Sequence, residues 1–159
     1  MARRSAGILL YRRRGDGVEV LLVHPGGPLW ARRDAGAWSI PKGEYTEGED
    51  PLAAALREFE EETGHRLPED GLLELGSLKQ RGGKVVSAWA APGDLDAAAI
   101  TSNTFTMEWP PRSGRQRAFP EVDRAGWFDP DTARQKLLGA QAVLVDRLLA
   151  ALGDGDAGG

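Results

Sequence analysis

Residues 43–64 read GEYTEGEDPLAAALREFEEETG, a glycine-led loop that runs into a cluster of glutamates. The second half of this segment carries the signals of an α-helix. Asp50 is a suitable N-cap, and Pro51 fits the first helical position, where no N–H group is needed. Gly64 can adopt the left-handed conformation that ends a helix. The three-to-four residue spacing predicts one buried face, formed by Leu52, Leu56, Phe59 and Thr63.

Three glutamates share another face of the predicted helix, because Glu58, Glu61 and Glu62 lie three and four positions apart. Like charges at this spacing repel one another and destabilise a helix. One interpretation is a solvated acidic face, which is what most runs of charge are. The other is a platform for a hard divalent cation, since Mg²⁺ prefers carboxylate oxygens and bridges readily to phosphate.

The spacing of the whole segment favours the cation platform. It runs Gly, five residues, Glu, seven residues, Arg-Glu, an apolar residue, any residue, Glu-Glu, any residue and Gly, and it resembles the Nudix box. The matching positions are Gly43, Glu49, Arg57, Glu58, Phe59, Glu61, Glu62 and Gly64. One position departs from the family pattern, because His65 stands where an aliphatic residue is usual. We interpret His65 as a packing residue and not as a ligand or base.

The resemblance implies an enzyme that hydrolyses a diphosphate linked to another moiety, with Mg²⁺, or Mn²⁺ in its place, as cofactor. The ligand set that it implies consists of the Gly43 carbonyl oxygen and the carboxylates of Glu58, Glu61 and Glu62. It also implies that Arg57 and Glu49 brace the loop against the helix. Glu60 occupies a variable position of the box and is expected to be solvated.

The general base has several candidates, because Nudix enzymes place it on the box helix or on a later loop or strand. Outside the box, Glu108 ends a predicted strand, and Glu121 precedes the segment from Val122 to Phe128. Each of these two is either the base or a surface carboxylate. If neither serves, a glutamate of the box, Glu58 or Glu61, takes the proton through a water molecule.

Positive side chains are expected to bind the phosphates of the substrate. Lys42, directly before the box, is the first candidate, followed by Arg81 and Lys84. Further arginines lie in a segment that we expect to be a mobile loop, at Arg112, Arg115 and Arg117. Trp38 and Trp109 are candidates for a stacking ring, although large aromatic side chains more often lie in a core.

The composition points to a globular protein that acts on a small molecule. The chain has 159 residues, 41% of them hydrophobic and 28% charged, which suits one domain with a real core. A formal net charge of −4 lacks the basic excess of a DNA-binding protein. The sequence has no cysteine, no signal-peptide pattern and no apolar run long enough to span a bilayer. We therefore expect a cytoplasmic monomer or homodimer that binds a phosphorylated substrate such as a nucleotide.

Apolar segments predict strands on both sides of the acidic helix. A hairpin joins 5–12 to 18–24, and further strands are predicted at 72–79, 84–91, 103–109 and 124–128. Pro130 begins a helical segment, and Gly139 separates it from an apolar helix over 140–152. The loop at 25–37, rich in Gly and Pro, is expected on the surface as a candidate substrate lid.

This order of elements indicates an α/β fold with a mixed sheet, and the family resemblance sharpens it to an α/β/α sandwich with a strand–loop–helix catalytic motif. We expect one domain over 1–152 and a disordered tail over 153–159. Three functions remain open: a pyrophosphohydrolase that acts on a nucleoside triphosphate or a dinucleoside polyphosphate, a non-catalytic nucleotide-binding regulator, and an RNA 5′-end pyrophosphohydrolase.

Overall fold

A long strand, Arg4–Arg14, lies at the centre of the fold and pairs with neighbours on both sides. The structure is a computed structural model, and it describes residues 3–153. The strands of this part of the chain are β1 (Arg4–Arg14), β2 (Gly17–Pro25), β3 (Lys42–Glu44), β4 (Leu73–Lys79), β5 (Val85–Pro92), β6 (Thr104–Glu108), β7 (Gln116–Pro120) and β8 (Val122–Phe128).

The central sheet is mixed, as the order of elements predicts. Its strands follow the order β4-β5-β1-β2-β8, and β3 pairs with the first part of β1. The β1–β5 pair is parallel, with Arg4 opposite Val85, whereas the other pairs of this sheet are antiparallel. Because Gly43 of β3 lies opposite Ala6 of β1, the loop that starts the acidic segment is fixed to the middle of the sheet.

Helices cover both faces of the sheet, which confirms the α/β/α sandwich. Helix α1 (Pro51–Thr63) packs on one face, and α2 (Pro130–Lys136) and α3 (Val143–Leu152) pack on the other. Successive side chains of β1 point to opposite faces. Ile8 and Leu10 therefore join the core under α1, whereas Leu9 joins the core under α2 and α3.

The segment after β6 differs from the prediction. The chain turns after Glu108 and returns as β7, so that β6 and β7 form a separate two-stranded sheet. The prediction of a mobile loop through Arg117 is therefore wrong, because Arg117 pairs with Met107 inside this hairpin. Most of β7 is exposed, and an exposed strand lacks the apolar alternation by which a strand is predicted from sequence.

The C-terminal helix also differs from the prediction in detail. A 3₁₀ turn, Gly139–Ala142, precedes α3, and Gly153 ends α3 in the left-handed conformation with φ 78°. The remainder of the predicted tail, 154–159, lies outside the described residues. Among residues 3–153, no helix combines the length and the apolar character needed to cross a membrane.

Gln141 is a buried polar residue that fixes the segment leading into the acidic loop. Its side-chain oxygen accepts the backbone N–H of Ile40 at 3.0 Å. Its amide nitrogen donates to Ser39 Oγ at 3.1 Å and to Gln80 Oε1 at 2.9 Å. One side chain thus holds the turn before α3, the end of β4 and the approach to β3 in one arrangement.

We expect Gln141→Ala to lower the free energy of unfolding by about 1–3 kcal/mol, because the Ile40 N–H would remain buried without a partner. Chemical denaturation measures this loss. Gln135→Ala is the matched control, since Gln135 is exposed on α2 and should cost little. Equal stability of the two variants would contradict the role given to Gln141.

Candidate active site

Helix α1 begins and ends where the sequence predicts. The Asp50 side chain accepts the N–H of Ala53 at 3.0 Å, and Gly64, with φ 80°, donates its N–H to the Glu60 carbonyl at 2.7 Å. The buried face is partly different from the prediction. It consists of Ala54, Ala55, Phe59 and Thr63, whereas Leu52 and Leu56 are half-buried. Two alanines on this face let the helix approach the sheet closely.

Glu58 lies directly against Gly43. A side-chain carbon added to Gly43 would overlap the Glu58 carboxylate, so only glycine leaves room for this contact. Burial raises the pKa of Glu58, and the charge of Glu61 raises it further. The predicted ligand position Gly43 and the predicted ligand Glu58 are therefore neighbours.

Arg57 is the cationic centre of the cluster. It binds both carboxylate oxygens of Glu49, at 2.9 and 3.1 Å, which is the predicted brace between loop and helix. Its Nη1 also donates to Glu58 at 2.9 Å and to Glu61 at 3.2 Å. The hydrogen bonds to Glu49 raise the pKa of Arg57 above its ordinary value despite partial burial. The Arg57 guanidinium thus offsets part of the repulsion among the carboxylates of Glu49, Glu58 and Glu61.

Glu62 faces the other side of the cluster, towards Lys42. Its Oε1 accepts the backbone N–H of Lys42 at 3.2 Å. Burial raises the pKa of Glu62 to about 8, and the nearby positive charge of Lys42 offsets only part of this effect. Burial likewise lowers the pKa of Lys42, with a further contribution from the charge of Lys84. Both shifts have the sign expected when desolvation outweighs the attraction between partners.

The donor chemistry of this cluster fits a hard cation. Glu58, Glu61 and Glu62 provide carboxylate oxygens, and Gly43 lies directly against the Glu58 carboxylate. Among residues 3–153, however, no three acidic, His or Cys side chains converge on one point as a preformed ion site. The bonds from Arg57 to Glu58 and Glu61 explain this, because they turn both carboxylates towards the guanidinium.

Glu121 lies beside the box, at the junction of β7 and β8. Its backbone N–H donates to the Asn103 carbonyl at 2.8 Å, and the Asn103 N–H donates to the Glu61 carbonyl at 2.9 Å. Burial raises the pKa of Glu121, and the charge of Glu61 adds to the rise. Of the two candidate bases outside the box, the structure therefore brings Glu121 to the glutamates.

Glu108 has a different position. Its carboxylate accepts the backbone N–H groups of Arg112 and Gly114, at 3.3 and 2.9 Å, and closes the turn between β6 and β7. It is exposed, and β6 separates it from Asn103, which contacts Glu61. Trp109 belongs to the same turn, where its backbone N–H donates to the Arg115 carbonyl at 2.9 Å.

Trp38 is buried and is not available as a stacking ring, contrary to our expectation. It is 5% exposed, and its ring packs edge-on against His24 and Phe128, with centroids 5.2 and 5.1 Å away. Its indole N–H donates to Asp34 at 2.8 Å. Arg81, the remaining predicted phosphate ligand, is exposed in the turn between β4 and β5.

His24 is a buried residue, and it attaches the 25–37 loop to β8. Its Nδ1 lies 2.9 Å from Asp123 Oδ1, and its Nε2 lies 2.6 Å from the Arg33 carbonyl oxygen. Lys136 pairs with Asp34 of the same loop at 2.6 Å. The loop is therefore held at several points beside the acidic cluster.

Two adjoining clefts open next to the glutamates. The first, about 170 Å³, contains Lys42, Glu62, Glu121 and Trp30 in its lining. The second, about 270 Å³, shares Pro25, Trp30 and Glu121 with the first and extends to Phe105. Sequence reasoning missed Trp30 and Phe105. For Trp30 the available signal was its place in a Gly- and Pro-rich loop before the box, whereas Phe105 carried no signal of its own.

Solved structures with the same fold come from several organisms. An Ap4A hydrolase of C. elegans, solved as a binary complex, superposes with a TM-score of 0.64 at 21% identity, covering 94% of this chain and 98% of that one. The NUDIX domain of Shewanella oneidensis NrtR, in complex with ADP ribose, gives a TM-score of 0.65 at 17% identity, covering 96% and 89%. At these identities the likeness concerns the fold.

Curated proteins match over parts of their length. An octanoyltransferase of Myxococcus xanthus is 33% identical over 136 residues, which are 84% of this chain and 33% of that protein. An RNA pyrophosphohydrolase of Rhodospirillum rubrum is 42% identical over 65 residues, 39% of this chain and 38% of that protein. The match thus spans 33% of the first relative and 38% of the second. The family model of the NUDIX domain matches residues 1–148, and the chain belongs to the Nudix family.

Proposed function

We propose that this protein is a divalent-metal-dependent hydrolase of a diphosphate linkage in a nucleoside diphosphate derivative, such as a nucleoside triphosphate or a dinucleoside polyphosphate. One observation carries this proposal. Glu62 of α1 lines one cleft together with Lys42 and Glu121, and the pKa of Glu121 is raised by burial and by the charge of Glu61 on the same helix. A phosphate chain in this cleft would meet both a cation site and a base.

The relatives support the reaction class. The C. elegans structure is named an Ap4A hydrolase, and the Rhodospirillum rubrum protein is named an RNA pyrophosphohydrolase. Both names describe the cleavage of a phosphate chain attached to a nucleoside. The second name makes RNA 5′-end processing the second candidate for this chain, although a net charge of −4 offers RNA little electrostatic attraction.

We assign the cation to the Gly43 carbonyl and to Glu58, Glu61 and Glu62. When bound there, Mg²⁺ or Mn²⁺ would neutralise charge on the phosphates and lower the pKa of water. Rotation of Glu58 and Glu61 away from Arg57 would free their oxygens for the ion, while the two bonds to Glu49 would hold Arg57 in place. Lys42 and Lys84 would attract the negative phosphate chain.

We assign the general base to Glu121. A water molecule in the cleft would transfer a proton to its carboxylate while the water oxygen attacks a phosphorus atom. The bond from that phosphorus to the bridging oxygen would break, and the leaving phosphate would depart with the bridging oxygen and its electron pair. A raised pKa suits a base that must accept a proton near neutral pH.

A purely regulatory nucleotide-binding domain is the less favoured alternative, because binding alone does not require a repulsive cluster of three glutamates. We further propose that residues 1–152 act as one domain. The cytoplasmic location expected from the composition stays a prediction, as does the choice between a monomer and a homodimer.

Incubation with Mg²⁺ and a substrate panel tests the proposed function. The panel holds nucleoside triphosphates, dinucleoside polyphosphates, nucleotide sugars, diphosphoinositol phosphates and 5′-triphosphorylated RNA, and the products are identified by mass spectrometry. We expect Mg²⁺-dependent cleavage of a small nucleotide class. Cleavage of RNA alone would move the assignment to 5′-end processing, and nucleotide binding without any cleavage would favour the regulatory alternative.

Gly43→Ala should lower Mg²⁺-dependent turnover about 10–100-fold, the range for residues that position metal ligands. The added methyl group would displace the Glu58 carboxylate. Steady-state kinetics measure the loss. Gly48→Ala is the matched control from the same loop, because a side chain there would meet nothing within 4 Å. Equal activity of the two variants would contradict the claim that turnover requires the contact between Gly43 and Glu58.

Glu121→Gln should lower kcat about 10²–10⁴-fold, the range for general base catalysis, while nucleotide binding persists. Glu108→Gln is its control and should retain kcat, because Glu108 serves the hairpin turn. Rapid-quench kinetics and equilibrium binding separate the two effects. If Glu108→Gln were the inactive variant, the two assignments would have to be exchanged.

The raised pKa of Glu62 predicts how the stability of the metal-free protein depends on pH. A carboxyl group with an ordinary pKa of 4.5 and a folded-state pKa of about 8 binds its proton more tightly in the folded state. Its contribution to stability is therefore complete below about pH 4.5 and is lost as pH rises to about 8.

In EDTA, Glu62→Gln should remove the share of Glu62, which is on the order of a few kcal/mol, and make the profile shallower between pH 5 and 8, while Glu58 and Glu121 keep their own smaller contributions. Denaturant unfolding at several pH values measures it. Glu60→Gln on the exposed side of the same helix should keep the wild-type slope. Parallel profiles for both variants would show that Glu62 is not the responsible group.

A further inference from the structure

The second cleft beside Glu121 is formed almost entirely by apolar side chains. Its lining contains Pro25, Pro28, Leu29, Trp30, Phe105 and Met107, and its volume is about 270 Å³. It adjoins the smaller cleft that contains Lys42 and Glu62, and both have Pro25, Trp30 and Glu121 in common. Together the two clefts have the size of small-molecule sites, and Lys42 and Glu62 lie in the first of them.

The folded chain alone does not account for this apolar surface. Leu29 is 64% exposed, and Leu29 and Val143 are the exposed large hydrophobic side chains among residues 3–153. The Phe105 ring packs against Gly27, where an added side-chain carbon would lie 2.9 Å from the ring. The apolar side chains lie together along the cleft, and a contiguous apolar patch beside polar residues is a feature of ligand-binding grooves.

Two arginines lie near aromatic rings of this region. The Arg33 guanidinium is 5.7 Å from the Trp30 ring centre. Arg117 is 5.8 Å from the Phe119 ring centre, and the Phe119 ring centre is 6.0 Å from that of Phe105. A flat group placed in the cleft would contact its apolar walls.

The lining provides few groups that could distinguish one nucleobase from another. Apart from the indole N–H of Trp30, its side chains carry no hydrogen-bond donor, and Glu121 is the charged acceptor. The Gly26 N–H already donates to the Glu121 carbonyl, at 2.9 Å. Strong discrimination between bases needs several placed donors and acceptors, whereas stacking depends on a ring face that every base has.

We propose that this apolar cleft binds the nucleobase of the substrate by stacking and apolar contact, and that the enzyme accepts adenine, guanine, cytosine and uracil alike. This inference rests on the proposed hydrolase function. It adds where the nucleobase binds and how many different bases the site accepts. The base would lie at the Leu29 and Phe105 end, and the phosphate chain would extend past Glu121 to Lys42.

The first test compares kcat/KM for the triphosphates and the dinucleoside tetraphosphates of all four bases, with inorganic tripolyphosphate as the base-free substrate. We expect the four bases to agree within about 10-fold, and tripolyphosphate to be poorer by about 10-fold or more, as the loss of one stacked base predicts. Preference for one base by more than about 100-fold, or equal use of tripolyphosphate, would overturn the inference, since stacking is sequence-tolerant.

Leu29→Ser and Phe105→Ala locate the effect. Both should raise KM for nucleotides of every base and leave the kinetics with tripolyphosphate unchanged. Leu29→Ser does not disturb a core, because Leu29 is largely exposed. Val143→Ser, at the other exposed large hydrophobic residue, is the matched control and should behave as wild type. A KM increase in the control alone, or in no variant, would place the base elsewhere.

A binding experiment without Mg²⁺ separates this inference from the proposed function. Nucleoside monophosphates of the four bases are titrated into wild type and Leu29→Ser, and amide shifts are followed by NMR. Weakened binding of all four in Leu29→Ser supports the base site even if no substrate on the panel is cleaved. Cleavage of nucleotides together with unchanged binding in Leu29→Ser would reject the base site and leave the hydrolase assignment intact.

Discussion

Repulsion among Glu58, Glu61 and Glu62 is the constraint on which the active site depends. These side chains crowd one face of α1, and the mutual effect appears in the raised pKa of Glu58, where the charge of Glu61 adds to burial. Arg57 offsets part of this repulsion, at 2.9 Å from Glu58 and 3.2 Å from Glu61. A divalent cation, as proposed above, would offset it further, because carboxylate oxygens are ligands that such ions prefer.

The fold places two adjoining clefts beside these glutamates. Strand β3 fixes Gly43 opposite Ala6 in the first part of β1, and Gln141 fixes Ile40 just before β3, so the start of the loop is held beside the helix. Asn103 connects the box to the β7–β8 junction, where Glu121 lies. In the proposed function, the cleft that contains Lys42 would bind the phosphates. The second cleft, beyond Glu121, would bind the group attached to those phosphates.

The sequence predicted what local chemistry determines and missed what long-range packing determines. Asp50 and Gly64 set the ends of α1 through backbone bonds within a few residues, and the predicted Arg57–Glu49 brace is likewise local. The buried face was partly wrong because two alanines, not Leu52, meet the sheet. Trp30 and Phe105 come together only in the folded chain, so no sequence pattern could join them. For Trp38 the sequence left open a stacking ring and a core residue, and its packing shows the core residue.

Anomalous X-ray diffraction from crystals grown with Mn²⁺ tests the central claim most directly. The account predicts an anomalous peak at coordination distance from carboxylate oxygens of Glu58, Glu61 and Glu62, on the side facing Gly43. It also predicts that Arg57 keeps both bonds to Glu49 while it releases Glu58 and Glu61. An anomalous peak elsewhere in the protein would contradict a metal-dependent site on this helix. So would the absence of any peak while Arg57 still binds Glu49, Glu58 and Glu61.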